Sequence, residues 1–217
     1  MSTPRIEEYL EAIYKLAADR EGAVGISRLA QSMGLSVPSA SEMVKRLEQS
    51  GSITYNRRRE VVLTDKGREE AVSVIRRHRL AERFLTDHLG FDWDEIHEEA
   101  CRLEHAISPA VEAKLAEFLG QPQTCPHGHS IPRANGEVAQ RKLVPLTELE
   151  SGETARVAAV PEEEAELLRY LAELGLIPKA EVKIIEVAPF GGPLTLKING
   201  ESATVGPELA GKVLVEF

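Results

Sequence analysis

The chain has 217 residues, 42% hydrophobic and 28% charged, with a formal net charge of −9 at pH 7. That balance belongs to a globular protein, and no apolar run approaches the ~20 residues that span a bilayer. The start MSTPRIEEYLEAIYKL is acidic and amphipathic, without the layout of a secretory signal. The two cysteines, Cys101 and Cys125, do not make a disulfide framework, so a cytoplasmic setting is expected.

Charge is unevenly spread. Residues 1–68 carry 11 basic and 9 acidic side chains, whereas 69–141 carry 8 and 13, and 142–217 carry 7 and 13. Within the first part, residues 26–68 hold 8 basic against 4 acidic. A Debye length of ~8 Å makes local charge, not the acidic total, decide whether a module docks on phosphates.

In chain order, Ile6, Tyr9, Leu10, Ile13, Tyr14 and Leu16 fall at helical spacing behind Thr3-Pro4. A short helix follows with Ile26, Leu29, Ala30 and Met33 on one face, ended by Gly34. Ser36 is placed to cap a second helix over about 37–49, with Ala40, Met43, Val44 and Leu47 inward. Two β-rich runs then flank the basic tip Asn56-Arg57-Arg58-Arg59. Two short helices joined by a glycine turn and followed by a hairpin read as a winged helix-turn-helix.

Residues 68–89 read as one long helix, about 92–107 as another, and 108–119 as a third. Residues 121–142 are irregular and rich in Pro and Gly. From 143 on, short runs of Val, Ile and Leu are separated by turn residues and interrupted by one helix over about 162–174. This is the pattern of a small SH3-like β-barrel. The fold class is mainly α with a small β domain. Expected domains are a winged helix-turn-helix over 1–70, a helical dimerisation and metal domain over 71–141, and an SH3-like (FeoA-like) domain over 142–217.

Two groups of residues carry chemistry. On the helix after Trp93, His97, Cys101, Glu104 and His105 fall at i, i+4, i+7 and i+8 and share a face apart from Ile96, Ala100, Leu103 and Ile107. Imidazole, thiolate and carboxylate all ligate first-row divalent ions. The preceding helix adds His78 and Glu82 at i and i+4, the first helix adds Glu8 and Glu11, and the loop Cys125-Pro126-His127 adds a thiol and an imidazole two apart. On the basic module, Ser36, Pro38, Ser39, Ser41 and Glu42 open the second helix with small polar groups suited to close approach in a major groove. Arg28, Lys45 and Arg46, and Arg57, Arg58 and Arg59 at the wing tip, suit backbone contacts. A metal-dependent hydrolase using Glu11 or Glu82 as base is the competing class, but an enzyme has no need of the basic winged helix. A metal-independent winged-helix regulator is a second competitor, disfavoured by the ligand stripe.

The runs Glu7-Glu8-Tyr9-Leu10-Glu11-Ala12-Ile13-Tyr14, His78-Arg79-Leu80-Ala81-Glu82-Arg83-Phe84-Leu85, His97 to His105, and Cys125-Pro126-His127-Gly128-His129-Ser130-Ile131-Pro132 resemble the diphtheria toxin repressor family of metal-dependent transcription regulators, which includes the manganese transport regulators. The resemblance implies no enzyme but a homodimer with Mn(II) or Fe(II), two or more ions per chain, as corepressor. It further implies binding to palindromic double-stranded DNA operators of metal-uptake genes, with no membrane and no small organic substrate involved. Cys101, Glu104 and His105 match the family's primary metal site; His78, Glu82 and His97 match the second site of the iron members; Glu11 and His78 match the paired site of the manganese members. Cys125 and His127 match ligands of some SH3-containing members, and Glu164 sits near where the C-terminal domain supplies an acidic ligand, with the register open among Glu162, Glu163, Glu164 and Glu166. Glu8 departs from the pattern, since iron members carry Met there and manganese members Asp. A carboxylate at 8 favours Mn(II) and a thiolate at 101 does not, so metal preference stays open between Mn(II) and Fe(II). The implied mechanism has Glu8 and the Cys101 group share an ion that sets the spacing of the recognition helices. Repression and activation are not separable from sequence.

Overall fold

A computed structural model of the chain describes residues 3–17, 22–56, 60–162 and 164–217. They form two compact units, Met1–His78 with Pro132–Glu137, and Arg79–Ile131 with Val138–Phe217.

In the first unit, α1 (Pro4–Ala17) buries Tyr9, Leu10 and Ile13 completely. They recur at i, i+1 and i+4, as one stripe of a 3.6-residue helix requires. The helix starts where Pro4 sets φ, and the Thr3 carbonyl accepts from the Ile6 and Glu7 amides at 2.9 and 3.1 Å. Strand β1 (Val24–Gly25) leads into α2 (Ile26–Ser32), and the turn at Gly34 (φ +64°) leads into α3 (Val37–Gln49). Ser36 caps α3, its hydroxyl accepting from the Ser39 amide at 3.3 Å, with Pro38 in the first turn. Strands β2 (Ile53–Tyr55) and β3 (Glu60–Leu63) pair antiparallel, and β1 pairs the other edge of β3, giving the order β1-β3-β2. One core of Leu10, Ile13, Leu29, Val44, Leu47, Ile53 and Val61 holds these pieces together, and each such side chain contributes about 1.5 to 3 kcal/mol on burial. This is the winged helix-turn-helix. Helix α4 (Asp65–Leu89) begins where Gly67 passes the wing so closely that a Cβ would lie 1.8 Å from the Ser52 carbonyl oxygen. Arg77 on α4 pairs with Glu7 on α1 at 3.3 Å.

In the second unit, the remainder of α4 packs with α5 (Ile96–Glu104) through Ala81, Leu85, Ile96 and Ala100. Helix α6 (Pro109–Phe118), capped by Ser108, packs Ala116 against Leu80 and Ile131. Residues 121–131 have no regular element apart from an isolated bridge between Thr124 and Ser130. The C-terminal part is one antiparallel six-stranded sheet of β4 (Val144–Pro145), β5 (Thr154–Ala159), β6 (Glu181–Val187), β7 (Leu194–Ile198), β8 (Glu201–Val205) and β9 (Leu214–Glu216), in the order β4-β9-β5-β6-β7-β8. Bulges in β5 and β6 curl it around Val157, Leu171, Val182, Ile184, Leu196 and Val215. Helix α7 (Ala165–Glu173) closes one side, and α8 (Pro207–Lys212) fills the last crossover. Among the described residues, no helix is long and apolar enough to cross a membrane.

Three element assignments differ from the sequence expectation. Helix α5 spans Ile96–Glu104 rather than about 92–107, so His105 caps it instead of continuing it. Helix α7 starts at Ala165 rather than near 162, leaving Glu162 in the preceding loop. Gly206-Pro207, read as a turn, opens α8, with Gly206 extended at the cap and Pro207 in the first turn.

Candidate metal centre and nucleic-acid face

The loop 121–131 lies against the barrel because its glycine allows it. Gly128 has φ +92°, and a Cβ there would stand 2.0 Å from the Ala158 carbonyl oxygen. The close approach is stitched by the Val160 amide donating to the His127 carbonyl at 3.0 Å, by His129 Nε2 donating to the Val160 carbonyl at 2.8 Å, and by Arg141 donating to the Gly128 carbonyl at 2.8 Å. Burial holds the His129 imidazole below its ordinary pKa, against the opposing pull of Glu162, so the ring is neutral and serves as a donor to the backbone.

This stitching brings four side chains together inside the second unit. Glu82 on α4, Cys125 and His127 on the loop, and Glu162 between β5 and α7 are all buried and offer ligand atoms within 4.8 Å of one another. His127 Nε2 lies 2.8 Å from the Trp93 carbonyl. A carbonyl only accepts, so Nε2 carries the proton and Nδ1 is turned to Glu82 Oε1, 3.2 Å away. Nδ1 and the carboxylate thus face each other directly, a contact that a proton on Nδ1 or a shared cation completes. Such a second hydrogen bond from a ligating histidine fixes its tautomer and ring plane. Arg79 stands 3.9 Å from Glu162 and His129 3.8 Å from it. Burial, then the carboxylates of Glu82 and Glu162, push the Cys125 thiol well above its usual value. Two oxygens, a nitrogen and a sulfur from four buried residues fit a divalent first-row ion.

Glu162, a candidate ligand here, is one that the sequence did not single out from its neighbours. It lies in a run of glutamates, and a helix assumed to start at 162 gave no register for choosing among them. Glu164 does not join the group; it is exposed and pairs with Lys212 at 3.2 Å. Trp93 was also missed, because its contribution is a backbone carbonyl.

Helix α5 carries the second set. Cys101 Sγ lies 3.7 Å from His97 Nε2, and Glu104, 1% exposed, lies 3.3 Å from His105 Nε2. Between the two sets, Glu162 and His97 line an acidic cavity of about 270 Å³ with Asp94, Glu95 and Glu98. In the first unit Glu8 is exposed, Glu11 is buried and paired with Lys15 at 3.2 Å, and His78 is buried on α4 one turn before Glu82.

On α3, Ser36, Pro38, Ser39, Glu42, Lys45 and Arg46 are exposed on the side opposite the buried Ala40, Met43, Val44 and Leu47, and Ser41 is partly exposed. The hydroxyls are partly committed: Ser36 and Ser39 share a hydrogen bond at 2.9 Å, and Ser41 donates to the Val37 carbonyl at 2.8 Å. Glu42 and Arg46 pair at 2.7 Å, so Arg46 must exchange that partner to reach a phosphate. Arg28 is half-buried on α2. The wing-tip residues Arg57, Arg58 and Arg59 lie outside the described residues; at the base of the tip, the Asn56 side chain brackets Glu60 with bonds of 2.8 and 3.1 Å.

The helical and β parts match three family descriptions in order: an iron dependent repressor N-terminal DNA binding domain over 1–61, an iron dependent repressor metal binding and dimerisation domain over 64–133, and a FeoA domain over 144–217. The iron-dependent repressor IdeR of Mycobacterium leprae is 37% identical over 97% of this chain and 96% of its own length. The chain belongs to the iron-dependent repressor family. The family consists of metal-dependent DNA-binding transcriptional repressors, which are not enzymes. The diphtheria toxin repressor of Corynebacterium diphtheriae is 32% identical over 97% of this chain and 96% of its own. Among solved structures, a manganese-dependent transcriptional repressor in complex with manganese superposes with a TM-score of 0.89 at 33% identity, covering 97% of this chain and 98% of its own. ScaR with bound Zn2+ superposes at 0.83 and 32% identity, covering 97% and 98%. The repressor family thus accounts for the basic winged helix and the ligand groups together, and the hydrolase alternative falls away.

Proposed function

We propose that this repressor is switched by Mn(II) or Fe(II) held at two or more sites per chain, and that as a homodimer it binds palindromic operators of metal-uptake genes in the cytoplasm. The observation that carries the metal reading is the buried group of Glu82, Cys125, His127 and Glu162, whose donors converge within 4.8 Å. A divalent ion bound there would be held by two carboxylates, an imidazole and a thiolate. His127 would offer Nδ1 while its Nε2 is held by the Trp93 carbonyl, Cys125 would have to give up its proton to serve as a ligand, and Glu162 would join the FeoA domain to the helical residues through the same ion. His97, Cys101 and Glu104 on α5, His105 at its C-terminal cap, and Glu8, Glu11 and His78, are proposed as further ligands on the family resemblance. The mixed donor set, with two hard carboxylates beside a thiol and an imidazole, suits Mn(II) and Fe(II) alike. For DNA, Ser39 and Glu42 are proposed to face base edges, with Ser36, Pro38 and Ser41 at the close approach and Arg28, Lys45, Arg46 and Arg57 to Arg59 on phosphates. A two-fold dimer reads two half-sites ~34 to 36 Å apart or a multiple of it.

The test is metal content per protomer after equilibrium dialysis against Mn(II), and anaerobically against Fe(II). The wild type should retain two or more ions and His127→Ala one fewer, with unchanged secondary structure by circular dichroism. Equal metal content in both would show that the buried group holds no ion.

A further inference from the structure

A groove of about 440 Å³ opens in the second unit beside Cys125. Its volume falls within the ~300 to 1,000 Å³ typical of small-molecule sites. Trp93, Pro126 and Ile177 make flat apolar walls, and Arg83 and Lys179 stand on its rim. Ile177 is 41% exposed, so this apolar surface faces solvent in the described chain. Arg83 is balanced by Asp87 at 2.6 Å. Lys179 has no ion pair among the described residues, so the groove carries a net positive rim.

Lys179 is held there by strain. Its φ is +78°, in the left-handed region, and its amide donates to the Val157 carbonyl at 2.8 Å. A glycine takes that backbone without cost, whereas an L side chain costs ~1 to 2 kcal/mol there.

The groove is also wired to the metal centre. Trp93 lines the groove, its carbonyl holds His127 Nε2 at 2.8 Å, and the two rings lie 5.7 Å apart. Whatever packs against the indole therefore acts on the residue that orients His127.

We propose that this groove binds a small organic anion with a flat apolar body, the body against Trp93 and the carboxylate against Lys179, and that occupancy is linked through the Trp93 carbonyl and His127 to metal binding at Glu82, Cys125, His127 and Glu162. The linkage rests on the metal reading above; the groove itself does not. Linkage is reciprocal, so an anion that alters metal affinity has its own affinity altered by the same factor.

Trp93 is the single tryptophan of the chain, which gives a local reporter. The full chain carrying 5-fluorotryptophan yields one fluorine resonance, titrated with 2-naphthoate and with the uncharged 2-naphthamide, first with chelator and then with Mn(II). In chelator, both probes should shift the resonance saturably below millimolar concentration. Naphthoate should bind about fivefold tighter, the ratio that an exposed ion pair supports. Lys179→Gln should erase that preference and leave naphthamide unaffected, and Ala172→Phe, which fills the groove, should weaken both. Absence of saturable binding in chelator, or an anion preference that survives Lys179→Gln, would overturn the site. With Mn(II), naphthoate affinity should change about threefold or more, beyond the factor that ~0.5 kcal/mol represents. An unchanged affinity in protein shown to hold Mn(II) would overturn the linkage. Should the protein take up no Mn(II), the metal reading fails while the chelator titration still decides the groove.

Discussion

Replacing Glu162 with glutamine separates a metal ligand from a structural carboxylate. Without metal, the Glu162 carboxylate feels Glu82, with ligand atoms within 4.8 Å, and Arg79, 3.9 Å away. At an effective dielectric near 20, unit charges at those spacings interact by ~3 to 4 kcal/mol each, with opposite signs. The two nearly cancel, so Glu162→Gln should move the melting temperature in chelator by no more than ~3 °C. A divalent ion breaks that balance, because its attraction to the carboxylate has no opposing partner. Glutamine keeps an oxygen donor but loses the charge, and should lose at least ~2 kcal/mol of metal affinity, about 30-fold. At metal 100-fold above the wild-type Kd, the stabilisation by bound ion should fall from ~2.7 to ~0.9 kcal/mol. Scanning calorimetry with chelator, with Mn(II) and with anaerobic Fe(II) reads both quantities. Glu164→Gln removes only the exposed pair with Lys212 and should change neither. A Glu162→Gln variant that keeps the wild-type metal increment, or one that melts far lower in chelator, would refute the reasoning.

Gly128→Ala should lower stability by ~2 to 4 kcal/mol, since it combines a left-handed backbone with a Cβ 2.0 Å from the Ala158 oxygen; a melting temperature equal to wild type would remove the argument for how the loop is seated. The raised Cys125 thiol is protonated near neutrality, so metal uptake must expel its proton and affinity must fall as pH falls. Calorimetric titrations in buffers of different ionisation enthalpy should show that release, and Cys125→Ser should remove about one proton of it. Arg46→Ala should reduce the salt slope of operator binding by ~1 and weaken all sequences alike; a sequence-dependent loss would assign Arg46 to base reading instead.

The winged helix was legible because its parts are local. The stripe on α1, the Ser36 cap with Pro38, and the alternation around 53–63 are each set by neighbours in sequence. Cys125, His127 and Glu82 were legible as chemistry, because a thiol and an imidazole two apart in a Pro/Gly loop stand out. Their convergence was not legible, since it depends on Gly128 letting the loop touch β5 and on a hydrogen bond to a backbone carbonyl. Glu162 was hidden among equivalent glutamates: acidic residues favour a helix start, and the reading placed it inside α7 when it precedes that helix. The barrel was recognisable from its spaced apolar runs, but α8 was not, because Gly-Pro marks a turn and a helix start equally well.

The most direct test of metal-dependent repression is fluorescence anisotropy with DNA from upstream of divalent-metal transporter genes of the source organism, titrated with the full-length dimer in chelator, Mn(II), anaerobic Fe(II) and Zn(II). Binding should be tight and sequence-selective with Mn(II) or Fe(II), with none in chelator beyond the salt-sensitive background of a basic winged helix. Equal binding in chelator and in metal would contradict it, leaving the buried Glu82, Cys125, His127 and Glu162 group with no part in controlling DNA binding.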